Sequence, residues 1–453
     1  MADAAAVPLG PLASWIADQR WFANSTGSAL TLDASLPLTP DAAVQTFVVR
    51  DGTPGAEAVY QVPVVEAPVG EEAEGRIPGT EAADVVLVDG PRSPAFTAAL
   101  LDLLFGGRTV GDERTGAEGV RVGWSGGAPR LRSARVLSGE QSNTSIIVEA
   151  ERADGTTAGL MVKVFRALHH GENPDVVLQS VIAAAGSKRV PATYAAVVGT
   201  WPDPAAPAGT ARGHLAVAQE FLADTRDAWR VALDAARAGE DFADRARDLG
   251  AATAEVHGVL AEALPTAEAD DDAREAALTS MRSRADQAAA LVPSVEAARD
   301  RIGAVLEAGV EGDWPLLQRV HGDYHLGQVL LVPDRGWVLL DFEGEPLRPM
   351  AERSRPDLAL RDVAGMLRSF DYVAGTIASE GGDADAARAW ADQARAAFLA
   401  GYEAELGVSL APWASLLAAL ELDKALYECV YEARNRPTWL PIPELAVHRL
   451  LEA

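Results

Sequence analysis

The sequence is poor in cysteine and in basic residues, and each shortage excludes a class of protein. Its 453 residues contain a single cysteine, Cys429, which excludes an intrachain disulfide framework. Lys and Arg number 39 against 66 Asp and Glu, so the formal net charge is −27. Because such a charge repels the phosphates of nucleic acids and of anionic membranes, we expect neither as a partner. A local positive pocket for a phosphorylated cofactor remains compatible with this charge.

Long hydrophobic runs are also missing. No stretch approaches the roughly 18 apolar residues that a membrane-spanning helix needs. The N-terminal residues, MADAAAVPLG, lack the basic and apolar regions of a signal peptide. Together with the single cysteine, these absences predict a cytoplasmic protein. The length and the 48% hydrophobic content favour a globular chain of two or three domains.

The first half of the chain is rich in strand signals. From Leu30 to about Val88, short β-rich runs alternate with Pro- and Gly-containing turns, which predicts a small β-rich domain. SPAFTAALLDLLF predicts a helix, and the Gly-rich segment after it is either a linker or a set of loose hairpins. From Arg132 we expect three strands, the last two joined across Asp154-Gly155, then a helix that starts at Asn-Pro-Asp, then two more strands.

The second half is rich in helix signals. After Asp224, Ala-rich amphipathic stretches predict helices, for example over 241–264 and 275–291, and a short β-like island covers 329–340. The expected fold is therefore α+β in three parts. These are a β-rich N-terminal part over residues 1–90, a lobe with a lysine-bearing strand over 91–222, and a mostly helical lobe over 223–453.

The motif that indicates chemistry is HGDYHLGQ, residues 321–328, which precedes the strand-like GWVLLDFEGEP. Phosphoryl transfer requires a carboxylate that orients the acceptor hydroxyl, oxygen ligands for magnesium, and a cation on the nucleotide phosphates. Protein kinases place the base and one metal ligand five residues apart, and a second metal aspartate ends a later strand. Asp323 and Gln328 have that spacing, and Asp341 ends the strand. The pattern predicts Asp323 as the base and Asp341 as a magnesium ligand; a catalytically silent loop is the alternative.

A kinase also needs a lysine on an earlier strand, after a loop that covers phosphates. Lys163 in LMVKVF follows the polar loop SGEQSNTS, residues 138–145, in which Ser142, Asn143, Thr144 and backbone amides could bind phosphate. As isolated features, the loop would be a hairpin turn and Lys163 a solvated edge lysine. AVAQEFL, residues 216–222, lies where two lobes should join, and is either a hinge that meets an adenine or a plain strand.

With these residues in hand, the chain resembles the aminoglycoside-phosphotransferase-like kinases, most of all their capped sugar-kinase branch of maltokinases and glucosamine kinases. The matching stretches span nearly the whole chain: QRWF, GEQSNTS, VKVF, NPD, HGDYHLGQVL, LLDFEGEP, RDVAGMLRSFDY and ELDKALYECVYEARNRPTWLPIP. The resemblance implies a bilobal, eukaryotic-kinase-like fold with an N-terminal cap over residues 1–90, Mg²⁺-ATP as the donor and a free sugar as the acceptor. The cap's role stays open, since it could close over substrate or dock a protein partner.

The resemblance also implies roles for particular residues. Asp323 would be the catalytic base, and Gln328 and Asp341 the metal ligands. The nucleotide would be bound by a set of residues from the loop, the lysine strand and the hinge: Ser142, Asn143, Thr144, Ser145, Lys163, Gln219, Glu220 and Leu222. Arg361 and Asp362 are expected to brace the catalytic loop, residues 321–328, and His257 and His321 to be packed.

Three positions depart from the maltokinase pattern. Tyr324 stands where maltokinases tend to have Leu, and QRWFANS replaces QRWFAGK. Val177 stands where a glutamate should pair with Lys163, so Glu172 or Asp175 would have to substitute.

The C-terminal stretch ELDKALYECVYEARNRPTW is polar for a core helix. Tyr427 and Tyr431 are four residues apart, as are Glu428 and Glu432, so each pair shares a helical face. Alone, this pattern favours an amphipathic helix with exposed ion pairs. With the resemblance, the sugar-site candidates are Asp323, His325, Glu432, Asn435, Arg436 and Trp439.

A protonated amine favours an acidic pocket, which Asp323, Glu428 and Glu432 could supply. We therefore expect an ATP-dependent kinase that converts glucosamine to glucosamine 6-phosphate. The alternatives are a maltokinase that makes maltose 1-phosphate, and a nucleotide-binding pseudokinase that acts as a scaffold.

Overall fold

The computed structural model describes residues 9–23, 30–55, 57–70, 72–82, 84–137, 142–345 and 350–452. Residues 138–141 of the predicted phosphate loop lie outside these ranges, as does the end of QRWFANS. The chain folds as two compact units. The first comprises residues 1–180 and 191–222, and the second comprises residues 181–190 and 223–453.

The first unit begins with the β-rich body that the sequence predicts. Its elements are α1 (Leu9–Ala17), β1 (Leu30–Pro37), β2 (Val44–Asp51), β3 (Ala58–Pro68) and β4 (Val85–Asp89). The strands pair antiparallel in the order β1-β2-β3-β4. Alternating residues of these strands, such as Phe47, Val62 and Val64, pack with Leu12 and Ile16 of α1 in one hydrophobic core.

The rest of the first unit contains α2 and a larger sheet. SPAFTAALLDLLF forms α2 (Pro94–Gly106), as predicted. The strands that follow are β5 (Thr109–Gly111), β6 (Gly116–Arg121), β7 (Arg130–Val136), β8 (Asn143–Glu151), β9 (Thr157–Phe165), β10 (Ala167–Leu168), β11 (Thr193–Pro202) and β12 (Thr210–Glu220). Within the described residues they form a sheet in the order β5-β6-β11-β12-β9-β8-β7, while β10 pairs with β3. The Gly-rich segment after α2 is thus made of strands of this sheet and is not a linker.

Helix α3 (Pro174–Ala184) begins where the Asn-Pro-Asp signal predicts. Pro174 occupies the first helical position, where its missing N–H leaves no bond unmade. The side-chain oxygen of Asn173 accepts a hydrogen bond from the backbone N–H of Asp175 at 2.8 Å. This capped first turn fixes the position of the Asp175 carboxylate.

The second unit is mostly helical. Its helices are α4 (Ala228–Ala238), α5 (Ala243–Ala263), α6 (Asp271–Leu291), α7 (Pro293–Ala297), α8 (Arg299–Glu311), α9 (Met350–Arg353), α10 (Leu360–Ser379), α11 (Ala384–Leu406), α12 (Ala414–Asn435) and α13 (Pro441–Leu450). The predicted β-island is a hairpin of β14 (Val329–Val332) and β15 (Gly336–Leu339), which β13 (Arg226–Asp227) extends. No helix among the described residues is both long and apolar enough to cross a membrane.

Aromatic rings fill the centre of the second unit. Phe370 of α10 contacts Phe242, Trp390 and Phe398, with ring centroids 6.1 to 6.4 Å apart. All four residues are buried. Such pairs add about 0.5–1.5 kcal/mol each beyond the burial of their area, and they hold α10 against α11.

An ionic cluster joins α10, α11, α12 and α13. Asp371 accepts hydrogen bonds from Arg368 and Arg449, and Glu421 accepts from Arg395 and Arg449. Burial alone would raise the pKa of Asp371, but the guanidinium groups around it hold that pKa far below its usual range. Because removing one partner from such a cluster costs about 3–5 kcal/mol, the cluster fixes the four helices to one another.

Helix α12 also carries the single cysteine. Cys429 is fully buried, and burial raises the pKa of its thiol to about 12. The thiol is therefore neutral at physiological pH.

Candidate active site

Asp323 lies in the loop that leads into β14, and its side chain is 23% exposed. Gly322, directly before it, has φ +84°, a left-handed conformation that glycine adopts without strain. The backbone of Gly344 also approaches closely, since a Cβ at position 322 would lie 3.1 Å from its Cα. The sharp turn that presents Asp323 thus depends on glycine at 322.

Asp362 of α10 braces this loop, as the sequence predicts. Its carboxylate accepts hydrogen bonds from the backbone N–H groups of His321 at 2.8 Å and Gly322 at 2.9 Å. His257 Nε2 lies 3.0 Å from the same carboxylate, and its Nδ1 lies 2.8 Å from the hydroxyl of Tyr402. Burial alone would raise the pKa of Asp362, but the bond from His257 and the backbone donors lower it, so the carboxylate stays ionised.

Asp341 follows the end of β15 and contacts the other predicted metal ligand. Gln328 Nε2 donates to Asp341 Oδ2 at 3.1 Å. Asp341 has φ +63°, a strained conformation for a residue with a Cβ. The hairpin register, which pairs Val329 with Leu339, explains why residues 13 positions apart meet. The two residues that the resemblance implies as metal ligands are therefore in contact.

Tyr324, which stands where maltokinases tend to have Leu, is buried in the second unit. It is 3% exposed, and its hydroxyl lies 2.9 Å from Thr253 Oγ1 on α5. Because Thr253 donates its own proton to the carbonyl of Leu249, Tyr324 is the donor. Tyr324 therefore anchors the catalytic loop to α5.

His325 has a defined tautomer. Its Nδ1 accepts a hydrogen bond from the backbone N–H of Gly327 at 3.0 Å, so the neutral ring carries its proton on Nε2. Burial lowers the pKa of His325, although the carboxylate of Asp323 opposes that shift. At neutral pH the ring can donate one hydrogen bond through Nε2. His321, in contrast, is buried against the rings of Tyr324 and Phe342, as predicted.

Lys424 of α12 lies beside Asp323, and the sequence reasoning missed it. Its ammonium is 3.5 Å from Asp323 Oδ1 and 3.3 Å from Glu345 Oε1. Burial acts to lower the pKa of Lys424, but the two carboxylates raise it, so the side chain stays charged. It sits in the matched stretch ELDKALYE, and the sequence holds only two other lysines, Lys163 and Lys188. That scarcity is the signal that could have identified it.

A cavity of about 420 Å³ opens on the same side of α12. Its walls are polar and aromatic side chains from the catalytic loop, α4, α10 and the end of α12. The residues that line it are Trp229, His325, Gly327, Gly365, Ser369, Tyr372, Lys424, Tyr427, Glu428, Tyr431, Glu432, Arg436 and Trp439. A smaller cavity of about 50 Å³ contains Asp323 and shares Lys424, Tyr427 and Gly365 with it. The catalytic loop therefore lies beside three of the predicted sugar residues, Glu432, Arg436 and Trp439.

Glu432 and Arg436 form one polar wall of the larger cavity. Arg436 donates from Nε and Nη2 to the two carboxylate oxygens of Glu432, at 2.9 and 2.6 Å, and Tyr372 donates to the same carboxylate at 3.0 Å. The ring of Trp439 stacks on Tyr372 at 6.3 Å, and the Arg436 guanidinium lies 4.9 Å from the Trp439 centroid. Asn435 does not line the cavity. It is exposed, and its amide donates to the carbonyl of Tyr431, because it ends α12 on another face.

Glu428 lies one turn before Glu432 on α12, and Arg368 of α10 binds its carboxylate. Arg368 donates from Nε and Nη2 to Glu428 Oε2, at 2.9 and 2.8 Å. Burial raises the pKa of Glu428, while Arg368 opposes the shift. Neither Arg368 nor Tyr372 is a sequence-predicted site residue, since each acts on a carboxylate 60 positions away.

In the first unit, Lys163 of β9 pairs with Asp175. Its Nζ lies 3.0 Å from Asp175 Oδ2, and the side chains are 12% and 2% exposed. Gln179, one turn along α3, donates to the other oxygen of Asp175. Lys163 therefore pairs with Asp175 although position 177 is Val and not the glutamate of the family pattern. Asp175 is one of the two substitutes that the sequence suggests.

The predicted phosphate-loop residues divide between the two faces of the sheet. The register pairs Asn143 with Phe165 and Ser145 with Lys163, so Asn143 and Ser145 share the face of Lys163. Thr144 is turned to the opposite face, where its hydroxyl accepts a hydrogen bond from Arg166 at 2.8 Å. The alternation of a strand separates it from its neighbours, contrary to the prediction that its side chain joins them.

Two of the predicted hinge residues, Gln219 and Glu220, end β12, and Leu222 follows it. Gln219 is buried, and the described residues offer its Nε2 no hydrogen-bond partner. Glu220 accepts from the backbone N–H of Ala192 at 3.2 Å. Leu222, half-buried, is the last residue of the first unit before the chain enters the second.

Two family models match this chain. Residues 202–417 match the phosphotransferase enzyme family, and residues 15–92 match the maltokinase N-terminal cap domain. A glucosamine kinase of Mycolicibacterium smegmatis is 32% identical over 338 residues, which is 71% of this chain and 80% of the relative. A glucosamine kinase of Streptacidiphilus jiangxiensis is 32% identical over 255 residues, 52% of this chain and 58% of the relative.

Solved structures of glucosamine kinases are also similar to this chain. A glucosamine kinase in complex with glucosamine, ADP and inorganic phosphate is 26% identical, with a TM-score of 0.69 over 93% of this chain and 94% of that one. Another crystal form of a glucosamine kinase is 25% identical, with a TM-score of 0.70 over 94% of each chain. This chain therefore belongs to the glucosamine kinase family, within the phosphotransferase enzyme family, and is an ATP-dependent kinase with an N-terminal cap domain.

Proposed function

We propose that this kinase transfers the γ-phosphoryl group of Mg²⁺-ATP to glucosamine and produces glucosamine 6-phosphate. The observation that supports it best is the cavity of about 420 Å³ beside the catalytic loop. Its wall combines the carboxylates of Glu428 and Glu432 with the stacked rings of Tyr372 and Trp439. Carboxylates suit an ammonium group, and aromatic faces suit the apolar face of a sugar ring. The names of the relatives, glucosamine kinases, agree with this reading.

In the proposed reaction Asp323 acts as the base. Its carboxylate accepts the proton of the acceptor hydroxyl as the new phosphorus–oxygen bond forms and the bond to the ADP oxygen breaks. Lys424, 3.5 Å away, orients the carboxylate. His325 donates through Nε2 to a sugar oxygen, and Arg436 and Trp439 hold the rest of the ring. Glu432 contributes by fixing Arg436, while Asn435 contributes by closing the end of α12.

Magnesium is proposed at Asp341 and Gln328. Once Gln328 donates its amide N–H to Asp341, the oxygens left on both side chains are hard donors, which magnesium prefers. The bound ion would neutralise charge on the transferred phosphoryl group. The residues present therefore fit the ion that this chemistry requires.

The nucleotide is proposed to contact residues at the start of β8 and at the ends of β9 and β12. Lys163, oriented by Asp175, would bind the phosphates together with Ser142, Asn143 and Ser145. The backbone of Gln219, Glu220 and Leu222 would meet the adenine. Since Lys163 has its acidic partner, the one sequence feature in favour of a pseudokinase is removed.

The experiment that tests this function is turnover of Mg²⁺-ATP with glucosamine, with maltose and without sugar, each with and without EDTA. We expect metal-dependent ADP release with glucosamine alone, and a phosphate on O6 by NMR of the product. Asp323→Asn should lower kcat by about 10²- to 10⁴-fold with nucleotide binding retained. The matched control is Asp334→Asn, which changes an exposed aspartate in the turn between β14 and β15 and should leave turnover unchanged.

Each outcome separates the candidates. Turnover with maltose alone would make the chain a maltokinase. Turnover with neither sugar, together with metal-dependent ADP binding, would point to another acceptor or to the pseudokinase. Wild-type turnover in Asp323→Asn would contradict the base assignment.

A further inference from the structure

Lys424 stands between the catalytic carboxylate and the cavity of about 420 Å³. It lines that cavity and also the cavity of about 50 Å³ that contains Asp323, and Tyr427 and Gly365 are shared in the same way. Its ammonium is 3.5 Å from Asp323 Oδ1 and 3.3 Å from Glu345 Oε1. A sugar whose hydroxyl reaches Asp323 from the larger cavity therefore lies beside this ammonium.

The two carboxylates that Lys424 binds are the kind of site that an ammonium group of a substrate would occupy. The side chains of Asp323 and Glu345 are 23% and 15% exposed, so solvent screens their charges only in part. Arg353 of α9 also lies in their field, outside the described walls of both cavities. The ammonium of Lys424 fills the position next to the base that a foreign ammonium would otherwise take.

The arginines of the small cavity are bound to a different carboxylate. Arg284 of α6 donates to both oxygens of Asp423, at 2.6 and 2.7 Å, and Arg361 of α10 lies 3.4 Å from the same group. Asp423 is buried. Among the described residues that line this cavity, Lys424 is therefore the cation that pairs with the base.

An amino sugar can enter such a site in two orientations. In glucosamine, the ring carbon that carries the amine, C2, is opposite the ring carbon that carries the CH₂OH group, C5. One orientation directs the primary hydroxyl at Asp323 and the amine along α12 toward Glu428, about 6 Å beyond Lys424. The reverse orientation directs the ammonium at Asp323. That orientation is non-productive, because the base then faces no primary hydroxyl.

We infer that Lys424 is a specificity-determining residue whose ammonium keeps the ammonium of the substrate away from Asp323. It does so by occupying the position between Asp323 and Glu345 and by repelling a second positive charge. The orientation that remains presents the primary hydroxyl to the base. This inference rests on the proposed function, in which glucosamine is the acceptor and Asp323 is the base.

The test compares Lys424→Met with wild type, using glucosamine and glucose, which has a neutral hydroxyl in place of the amine. Without the lysine charge, the two carboxylates attract the substrate ammonium, so at pH 7 we expect Kd for glucosamine by calorimetry to fall about five- to tenfold. Kd for glucose should not fall. Because non-productive binding lowers KM together with kcat, KM for glucosamine should fall by the same factor. Loss of an orienting contact alone would lower kcat and leave KM unchanged.

The pH supplies a control on the substrate itself. The amine of an amino sugar resembles an α-amine, which titrates at about pH 7.7–8.0, so it is neutral at about pH 9.5. At that pH, Lys424→Met and wild type should bind glucosamine equally. Lys424→Arg, which keeps the charge, should retain the wild-type Kd at both pH values. Lys188→Met, the same change at an exposed lysine of the second unit, should alter neither Kd nor KM.

Two further variants make the outcome decisive. Lys424→Gln, which keeps a hydrogen-bond donor for the carboxylates, should shift Kd in the same direction if Lys424→Met folds poorly. Lys424→Met combined with Glu345→Gln should lose the gain in affinity. If wild type is active and Kd and KM for glucosamine stay constant or rise in both lysine variants, the inference is wrong. If wild type phosphorylates no glucosamine, the proposed function itself fails, and the inference fails with it.

Discussion

At the residue scale, the Lys163–Asp175 pair shows how a missing family residue can be replaced from the same helix. Asp175 lies in the first turn of α3, where the Asn173 cap fixes the backbone and Gln179 holds the carboxylate. An aspartate there reaches Lys163 at 3.0 Å, although its side chain is one methylene shorter than glutamate. Position 177 can therefore be apolar without loss of the ion pair.

This pair leads to a prediction for nucleotide binding. Asp175→Asn keeps the shape of the side chain but removes its charge, so Lys163 should lose its fixed orientation. We expect KM for ATP to rise about tenfold, which corresponds to about 1.4 kcal/mol, with little change in KM for the sugar. The matched control is Glu118→Gln, which breaks an exposed pair with Arg212 on the same sheet and should change neither constant. An unchanged KM for ATP in Asp175→Asn would show that Lys163 needs no acidic partner.

Residues that act through local spacing could be predicted, whereas residues that act across the fold could not. Asp323, Gln328 and Asp341 lie within one loop and one hairpin, so their spacing was enough to single them out, and Gln328 and Asp341 lie 3.1 Å apart. Lys424 reaches Asp323 from a helix 101 positions later, and Arg368 reaches Glu428 across 60 positions. Such contacts depend on how helices pack, which the local pattern does not encode.

At the element scale, helix α10 holds the catalytic loop in place. Asp362 in its first turn accepts the backbone N–H groups of His321 and Gly322, and Gly365, one turn later, faces the carbonyl of Tyr324. A Cβ at position 365 would lie 2.5 Å from that carbonyl oxygen. The absence of a side chain at 365 thus lets the helix approach the loop.

Gly365→Ala should therefore displace the catalytic loop. The added methyl group would force a backbone shift that costs about 1–3 kcal/mol, and we expect kcat to fall at least tenfold while Kd for ADP stays unchanged. Gly258→Ala is the matched control, because it lies inside α5 with nothing within 4 Å of the new Cβ. That change should stabilise the protein by up to about 1 kcal/mol. Full kcat in Gly365→Ala would show that the loop is not held by this contact.

Most elements could be read from periodicity and from cap residues. The Asn-Pro-Asp start of α3, the hairpin of β14 and β15, and the helices over 241–264 and 275–291 all appear close to their expected bounds. The Gly-rich segment after α2 could not be decided, because glycine suits a linker and a tight hairpin equally. Its strand β6 is fixed by pairing with β11, which comes over 70 residues later.

At the scale of the whole molecule, the division into units is not a simple cut of the sequence. Residues 181–190 belong to the second unit, although the chain on both sides belongs to the first. Contacts such as the Arg189–Glu255 pair at 2.7 Å hold this segment within the second unit. The shift in composition along the chain indicated a boundary near residue 223. It did not indicate that residues 181–190 belong to the second unit.

The net charge of −27 is also a property of the whole molecule, and it predicts a salt effect. Self-repulsion destabilises a compact state, and raising the salt from 0.01 to 0.1 M shortens the screening length from about 30 to about 10 Å. We expect the midpoint of thermal unfolding at pH 7.5 to rise by about 3–6 °C. Near pH 5, close to the isoelectric point of about 4.6, the same salt should have little effect. A midpoint that falls with salt at pH 7.5 would mean that surface ion pairs outweigh the repulsion.

The single cysteine can report on the opening of α12, the helix that lines the cavity of about 420 Å³. Cys429 follows Glu428 directly on α12 and is fully buried, so a thiol reagent can reach it only when that helix opens. The rate of labelling under native conditions thus measures the free energy of that opening. A sugar that binds only the closed form slows labelling by the factor 1 + [L]/Kd. Labelling can thus rank the affinities of sugars, both those that bind without being phosphorylated and those that are true substrates. It needs no engineered probe.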